Sequence, residues 1–197
     1  TLTLSDSRIQ IFGQYKLTIT GNGRINYQNS KHYALFTSYK SGNATVEIES
    51  GTIIADGSGI YQPYPGEENW SGVKFIMTGG TVVCTGATAL SIYERGDVEI
   101  SGGTIKSDNS VIGIYSPNKQ NNNHTVSITG TSTVVETTSG TYPTIYCGED
   151  VRGTINIGTS GASSSTYPHI KNPKAGNGIK SDSSSIITIN KYSGKVD

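Results

Sequence analysis

The stretch Val98-Glu99-Ile100-Ser101-Gly102-Gly103-Thr104-Ile105 decides the fold, because variants of it recur along the whole chain. Each copy has two apolar residues separated by one polar residue, then a short segment rich in Gly, Ser and Thr, and then another aliphatic residue. The second apolar residues of the copies are Ile19, Ile48, Met77, Ile100, Ile128, Ile157 and Ile189. Successive copies are therefore 23 to 32 residues apart. A repeat of this length predicts a stacked solenoid.

A second phrase follows each copy of the first: an aliphatic residue and then, in most copies, Tyr. Its occurrences are Leu35-Phe36, Ile60-Tyr61, Ile92-Tyr93, Ile114-Tyr115, Ile145-Tyr146 and Ile179-Lys180. Each repeat therefore holds about three short strands of alternating apolar and polar residues, separated by Gly, Ser or Asn turns. The unequal spacing favours a three-sheet parallel β-helix, in which extra residues leave a coil as a loop. An antiparallel sandwich is the alternative, but its strands have no reason to repeat one phrase. We predict an all-β fold, a parallel β-helix of about seven coils.

The composition supports strands and excludes several other classes of protein. The chain of 197 residues has Ile 23 and Val 11 against Leu 5, and β-branched residues suit a pleated sheet. No window shows the apolar period of an α-helix, so helical and layered α/β folds are not expected. Zero net charge, without a long Lys or Arg cluster, argues against nucleic acid as a partner. No apolar run reaches membrane-spanning length, which argues against membrane insertion. We expect one domain over residues 1–197, a mature fragment of a longer secreted protein.

The phrase at residues 98–105 resembles the coil repeat of pectin-lyase-like right-handed parallel β-helices. It is most similar to the non-catalytic β-helix regions of large secreted or surface-anchored bacterial proteins, of the adhesin or carbohydrate-binding type. The resemblance covers nearly the whole chain, and it is specific for the fold and weak for function. It implies a right-handed coil and an extracellular location, either secreted or on the cell surface.

Alternation also predicts which side chains of the repeat face the core. In Val82-Val83-Cys84, alternation sends the first and third residues inward, which places Cys84 beside Ala55 and Ser107 of the neighbouring coils. A small buried thiol packs there as an apolar residue. Cys147 lies two coils further on, about 9.5 Å away along the stack, which is beyond the reach of a disulfide. We therefore expect no bond between the two cysteines.

The aliphatic-Tyr phrase supplies the strongest candidate for a functional surface. If the aliphatic residues face the core, the tyrosines that follow them face outward, and stacked coils place them in one column about 4.8 Å apart. Such a column is either an aromatic ladder that stabilises the stack or a flat strip on which sugar rings bind. The candidate residues of this column are Tyr61, Tyr93, Tyr115 and Tyr146.

Long insertions follow these tyrosines, at residues 62–72, 116–124 and 147–153. Binding residues of rigid scaffolds are frequent on such loops. The first insertion contains Tyr64 and Trp70, the only Trp of the chain, and we add both to the candidate binding surface. The alternative is that Trp70 folds back onto the coil and covers apolar surface.

No catalytic or metal-binding group of residues emerges from the sequence. The acidic candidates are expected in turns or loops on one edge, and they form no Asp-Asp or Asp-x-x-Asp pair of the kind that glycoside hydrolases of this fold carry. These candidates are Glu67, Glu68, Glu94, Asp97, Glu149 and Asp150. The histidines, His32, His124 and His169, have no second ligand at zinc spacing. The Thr-x-Thr pairs at Thr18 and Thr129 do not recur in register, so no hydroxyl array for ice binding is expected. We predict no catalytic residue, no metal site and no cofactor.

The leading hypothesis is a non-catalytic secreted or cell-surface protein that binds an extended polysaccharide or host glycan. The partner could also be a host protein or a neighbouring domain of the same chain. One alternative is a structural stalk or filament unit of a large surface protein, and another is a small polysaccharide lyase or glycoside hydrolase. A binding surface predicts four exposed and roughly coplanar rings, whereas a stalk predicts buried or isolated rings. An enzyme predicts carboxylates that converge in a groove.

Overall fold

The computed structural model describes residues 1–5, 7, 9–12, 14–28, 35–39, 44–61, 74–93, 96–116, 123–162, 167–173 and 176–197. These residues form β-strands, turns and bends, and none of them lies in a helix. Within the described part of the chain there is accordingly no helix with the length and apolar character needed to cross a membrane. In chain order the strands are β1 (Leu2–Ser5), β2 (Ile9–Phe12), β3 (Lys16–Ile19), β4 (Arg24–Gln28), β5 (Phe36–Tyr39), β6 (Thr45–Ile48), β7 (Thr52–Ala55), β8 (Ile60–Tyr61), β9 (Lys74–Met77), β10 (Thr81–Cys84), β11 (Leu90–Tyr93), β12 (Asp97–Ile100), β13 (Thr104–Ser107), β14 (Ile112–Tyr115), β15 (Asn123–Ile128), β16 (Val134–Thr137), β17 (Ile145–Cys147), β18 (Arg152–Ile157), β19 (His169–Lys171), β20 (Ile179–Ser181), β21 (Ile186–Lys191) and β22 (Lys195–Val196).

Three sheets form the walls of a solenoid. Sheet I has the strand order β1-β4-β7-β10-β13-β16-β19-β22, sheet II has β2-β5-β8-β11-β14-β17-β20, and sheet III has β3-β6-β9-β12-β15-β18-β21. All of these neighbouring strands pair in parallel. Because the chain visits sheets I, II and III in turn, each coil contributes one strand to every sheet. The prediction of an all-β parallel β-helix of about seven coils is confirmed.

Apolar residues at alternate strand positions fill the interior of this solenoid. Two inward columns run along sheet III, and a third runs along sheet I. Their members are Val46, Phe75, Val98, Val126 and Ile155; Ile48, Met77, Ile100, Ile128 and Ile157; and Ile53, Val82, Ile105, Val135 and Ile170. Each of these side chains is at most 3% exposed. Full burial of one such side chain contributes roughly 1.5–3 kcal/mol, so these columns are a main source of stability.

Each connection from sheet III to sheet I contains a Gly with positive φ, although the connection from β18 to β19 is longer than the others and its residues 163–166 lie outside the described residues. These glycines are Gly21, Gly51, Gly80, Gly103, Gly130, Gly158 and Gly194. Gly103, with a φ of 83°, illustrates the requirement. A Cβ at this position would lie 2.6 Å from the carbonyl oxygen of Gly80 in the preceding coil. Glycine therefore permits both the left-handed turn and the close approach of successive corners.

The predicted insertions all fall at the corner between sheets II and III. Residues 62–73 and 117–122 of this corner lie outside the described residues. The predicted bounds of the second and third insertions are too wide, because β15 already begins at Asn123 and β18 at Arg152, while β17 ends at Cys147. The strands of sheet III extend to six residues here, and this extension shortens the connections.

The recurring anchors predict the register of sheet III correctly in six of the seven copies. Ile19, Ile48, Met77, Ile100, Ile128 and Ile157 form one continuous column. The last copy is wrong by two residues, because Ile189 pairs with Ile155, and Lys191 pairs with Ile157. A shift of two residues keeps the same side chains facing inward, so alternation alone does not detect it.

The two cysteines occupy interior positions, as predicted. Cys84 pairs with Ala55 on one side and with Ser107 on the other. Cys84 and Cys147 are both buried and free, so the prediction that they form no disulfide is confirmed. Burial raises the pKa of both thiols to about 12, so neither is a reactive thiolate at neutral pH.

Candidate binding surface on sheet II

Two of the predicted tyrosines form a stacked pair on the outer face of sheet II. Tyr93 ends β11 and Tyr115 ends β14, and the two residues are partners in the parallel register. Their ring centroids are 4.9 Å apart and the ring planes are inclined by 24°. Both residues are half-buried. This part of the predicted column is confirmed, because adjacent coils bring the rings to the spacing of stacked strands.

The prediction of a single column of four tyrosines is wrong. Tyr146 pairs with Gly113 and not with Tyr115, while Tyr61 pairs with Ser91 and not with Tyr93. The physical reason is again a shift of two residues, which preserves alternation but moves a tyrosine along its strand. Tyr93 and Tyr115 therefore belong to one outward column, and Tyr146 belongs to the neighbouring one.

Tyr146 nevertheless contacts the stacked pair, because Tyr115 leans over the position that lacks a side chain. A Cβ on Gly113 would lie 2.6 Å from the Tyr115 hydroxyl oxygen, so the ring covers this glycine. The Tyr115 ring also lies against Gly148, whose Cβ would be 3.2 Å from its Cδ1 atom. In this orientation the centroid of the Tyr115 ring lies 6.0 Å from that of the Tyr146 ring, and the two ring planes make an angle of 63°. The three rings form an edge-to-face cluster, and the prediction of coplanar rings is wrong.

Hydrogen bonds fix the outer end of this cluster. The Tyr146 hydroxyl donates to Oδ2 of Asp182 at 2.6 Å. This hydrogen bond, with smaller contributions from burial and from nearby negative charge, raises the pKa of Tyr146 to about 12. Burial raises the pKa of Tyr115, and a hydrogen bond with Thr88 offsets part of that increase. Both phenols are therefore neutral at physiological pH, with hydroxyl groups held by neighbouring side chains.

The structure brings together three of the six predicted site residues, namely Tyr93, Tyr115 and Tyr146. Only the backbone of Tyr61 is described, and Tyr64 and Trp70 lie outside the described residues.

Sequence reasoning missed three groups that shape the cluster: Gly113, Asp182 and Thr88. The isolated glycine two positions before Tyr115 is the one available signal in the sequence, because a Gly inside a strand indicates that something approaches the backbone closely.

The acidic candidates do not assemble in the part of the chain that is described. Asp97 is not in a turn as predicted, because it begins β12 and accepts a hydrogen bond from the backbone N–H of Thr125 at 2.9 Å. Glu149 and Asp150 lie in the turn after β17, where Asp150 has a φ of 57°. The other three, Glu67, Glu68 and Glu94, lie outside the described residues. Among described residues no three His, Cys, Asp or Glu side chains are grouped as a metal site would require.

The histidines have separate roles in the structure. His124 faces the interior and is 2% exposed, with Nδ1 2.9 Å from the carbonyl oxygen of Gly96. Burial lowers its pKa. His169 lies on the outer face of sheet I, with Nε2 2.7 Å from Oδ2 of Asp197. His32 lies outside the described residues.

The chain matches no protein-family model, no curated protein and no solved structure.

Proposed function

We propose that the chain is a non-catalytic, right-handed β-helix of a secreted or cell-surface protein that binds an extended polysaccharide or host glycan. The binding residues are Tyr93, Tyr115 and Tyr146. The three-ring cluster carries the proposal: its rings are half-buried and inclined to one another, unlike the four exposed and coplanar rings expected of a flat strip, but they lie in mutual contact on the outer face of a sheet.

Preorganisation is the physical basis of this proposal. The rings are already held by each other and by the hydrogen bond from Tyr146 to Asp182, so a ligand need not order them. Binding to fixed side chains loses less conformational entropy than binding to mobile ones. Aromatic rings present an apolar face, and the phenol and carboxylate groups beside them can orient a polar ligand. A sugar has both kinds of surface, since its apolar C–H face alternates with hydroxyl groups.

The test is affinity electrophoresis of the whole chain against soluble plant, bacterial and mucin polysaccharides. The double variant Tyr93→Ala/Tyr115→Ala is compared with a matched control, Tyr142→Ala/Tyr192→Ala, which removes two exposed tyrosines outside the cluster. We expect one glycan to retard the chain, the cluster variant to weaken this binding at least about tenfold, and the control to leave it unchanged. Absence of retardation by every glycan, or equal loss in both variants, contradicts the proposal.

A structural stalk is the second candidate, and the tight contacts of the Tyr115 ring favour it. The ring lies over Gly113 and its hydroxyl bonds to Thr88, so much of its surface already has partners within the chain. For a stalk, Tyr115→Ala lowers the stability of the solenoid and no glycan binds. Denaturation of the same variants, measured beside the electrophoresis, distinguishes the two candidates.

A further inference from the structure

A groove of about 480 Å³ runs along the outer face of sheet III, separate from the tyrosine cluster. It crosses β15, β18 and β21, six-residue strands that pair with one another over their full length. The outward side chains that line it are Asn123, Thr125, Arg152, Thr154, Ile186 and Thr188.

The register arranges these side chains in two columns. Asn123, Arg152 and Ile186 are aligned at the start of the strands. Two positions further on, a column of hydroxyl groups follows, formed by Thr125, Thr154 and Thr188. Neighbours within a column are about 4.8 Å apart. The Asn123 amide therefore lies beside Arg152 on the neighbouring strand, and the threonine hydroxyl groups lie next to both residues along the strands.

The groove contains a positive charge, the guanidinium of Arg152, that no described acidic residue neutralises. Arg152 is exposed and forms no ion pair with any described residue, whereas Lys74 on the same sheet pairs with Glu99 at 2.7 Å. No lining residue is acidic. Glu149 and Asp150 belong to the preceding turn and do not line the groove. Asp97 lies beside Thr125 on the neighbouring strand and accepts a hydrogen bond from the Thr125 backbone N–H, but it does not line the groove either.

We propose that this groove binds the sulfate ester of a saccharide. The Arg152 guanidinium contacts the sulfate oxygens, and the threonine hydroxyls and the Asn123 amide donate to the remaining oxygens and to sugar hydroxyls. One guanidinium matches the single charge of a sulfate ester. Donors in two columns suit a tetrahedral oxyanion better than a planar carboxylate, whose two oxygens lie in one plane. The proposal relies on the proposed function only in that the ligand is a saccharide.

The test is a titration of the ¹⁵N-labelled chain with N-acetylglucosamine 6-sulfate, followed by NMR. N-acetylglucosamine, its 6-phosphate and glucuronic acid serve as comparison ligands. We expect the sulfated sugar to shift the amide signals of β15, β18 and β21, with an affinity that decreases as salt is added. Arg152→Gln weakens binding by about tenfold or more, because it removes a charge-assisted hydrogen bond. Lys191→Gln, which removes an equal charge from an exposed position at the end of β21, leaves the affinity unchanged.

Each other outcome overturns the assignment. Equal affinity for unsulfated N-acetylglucosamine excludes recognition of the anion, and tighter binding of the phosphate or of glucuronic acid excludes a sulfate ester as the ligand. An equal loss in Lys191→Gln indicates a diffuse effect of charge, and absence of shifts in β18 excludes the site. The Tyr93→Ala/Tyr115→Ala variant retains sulfate binding, so failure at the tyrosine cluster and failure at this groove are separately observable.

Discussion

The outer face of sheet III differs between its two ends although its inner face does not. In the N-terminal coils the outer face is charged, with Lys16 bound to Glu47 at 2.5 Å and Lys74 bound to Glu99 at 2.7 Å. Both pairs connect one coil to the next. The inner positions of the same strands continue the aliphatic columns of the core.

In the C-terminal coils the same outer positions have hydroxyl and amide groups. The Asn190 Nδ2 group donates to Oδ1 of Asn156 at 2.9 Å, and the Asn156 Nδ2 group lies 3.4 Å from the hydroxyl oxygen of Ser127. Coils are thus connected by neutral hydrogen bonds where the N-terminal coils use ion pairs. Alternation therefore separates two roles: inward residues determine how the coils stack, and outward residues can differ in chemistry.

The largest expected effect tests the inner face, where the two ends are alike. Ile100→Ala and Ile128→Ala remove fully buried side chains from neighbouring coils of one column, and each is expected to reduce the free energy of unfolding by about 2–5 kcal/mol. The outer substitutions Glu99→Ala and Ser127→Ala serve as controls and are expected to cost less than about 1 kcal/mol. Urea denaturation gives both values. Comparable losses from inner and outer substitutions contradict the separation.

An intermediate effect concerns His124, a buried ionisable residue at an inward position of β15. Its pKa is lowered by burial, and the Gly96 carbonyl and the charge of Asp97 oppose this shift. The unfolded state therefore binds a proton more readily than the folded state does. Stability is complete above the ordinary value of 6.5 and decreases as the pH falls from there towards the folded pKa.

Within that window the slope approaches about 1.4 kcal/mol per pH unit. Denaturation midpoints measured at a series of pH values from 7 downwards record the slope. His124→Gln removes it, although the variant is less stable at every pH, whereas His169→Gln, on the outer face of sheet I, preserves it. An unchanged slope in His124→Gln contradicts the prediction.

The smallest effect concerns the ion pair of the N-terminal coils. A hydrogen bond from Lys16, with further contributions from the Lys16 charge and from Thr18, lowers the pKa of Glu47 below its ordinary value of 4.5. This contribution to stability is present above that value and is lost as the pH falls through the folded pKa. Glu47→Gln therefore reduces the acid sensitivity of stability below pH 4.5, and added salt reduces the same effect. If the stability of Glu47→Gln decreases at acid pH just as that of the unmodified chain does, the ion pair is not the source of this acid sensitivity.

The fold could be predicted because the residues that fill the interior recur in the sequence as one repeated motif. Alternation assigns Val98 and Ile100 to the core, and the glycines after them mark the corner. Register was harder to predict, because a shift of two residues satisfies alternation equally well. That ambiguity explains the errors at Ile189 and Tyr146.

A better signal was present in the C-terminal coils. Thr154-Ile155-Asn156 and Thr188-Ile189-Asn190 are identical triplets, and aligning them gives the observed register. The aligned triplets also place Thr188 beside Thr154. This pairing indicates the hydroxyl column, which the Thr-x-Thr pairs at Thr18 and Thr129 do not. The hydrogen bond between Tyr146 and Asp182 had no such signal, because the two residues are 36 positions apart and a complete coil separates them along the chain.

The parallel pairing of every coil with the next has a mechanical consequence. Hydrogen bonds between coils point along the axis of the stack, so a force that pulls the two ends apart loads the terminal coil first and opens its bonds in sequence. A coil of 29 residues, such as the one from Leu17 to Val46, adds only about 4.8 Å to the height of the stack, but it extends to roughly 100 Å when released. Under tension such a chain lengthens in large discrete steps at nearly constant force, and each step dissipates energy while the remaining coils stay intact.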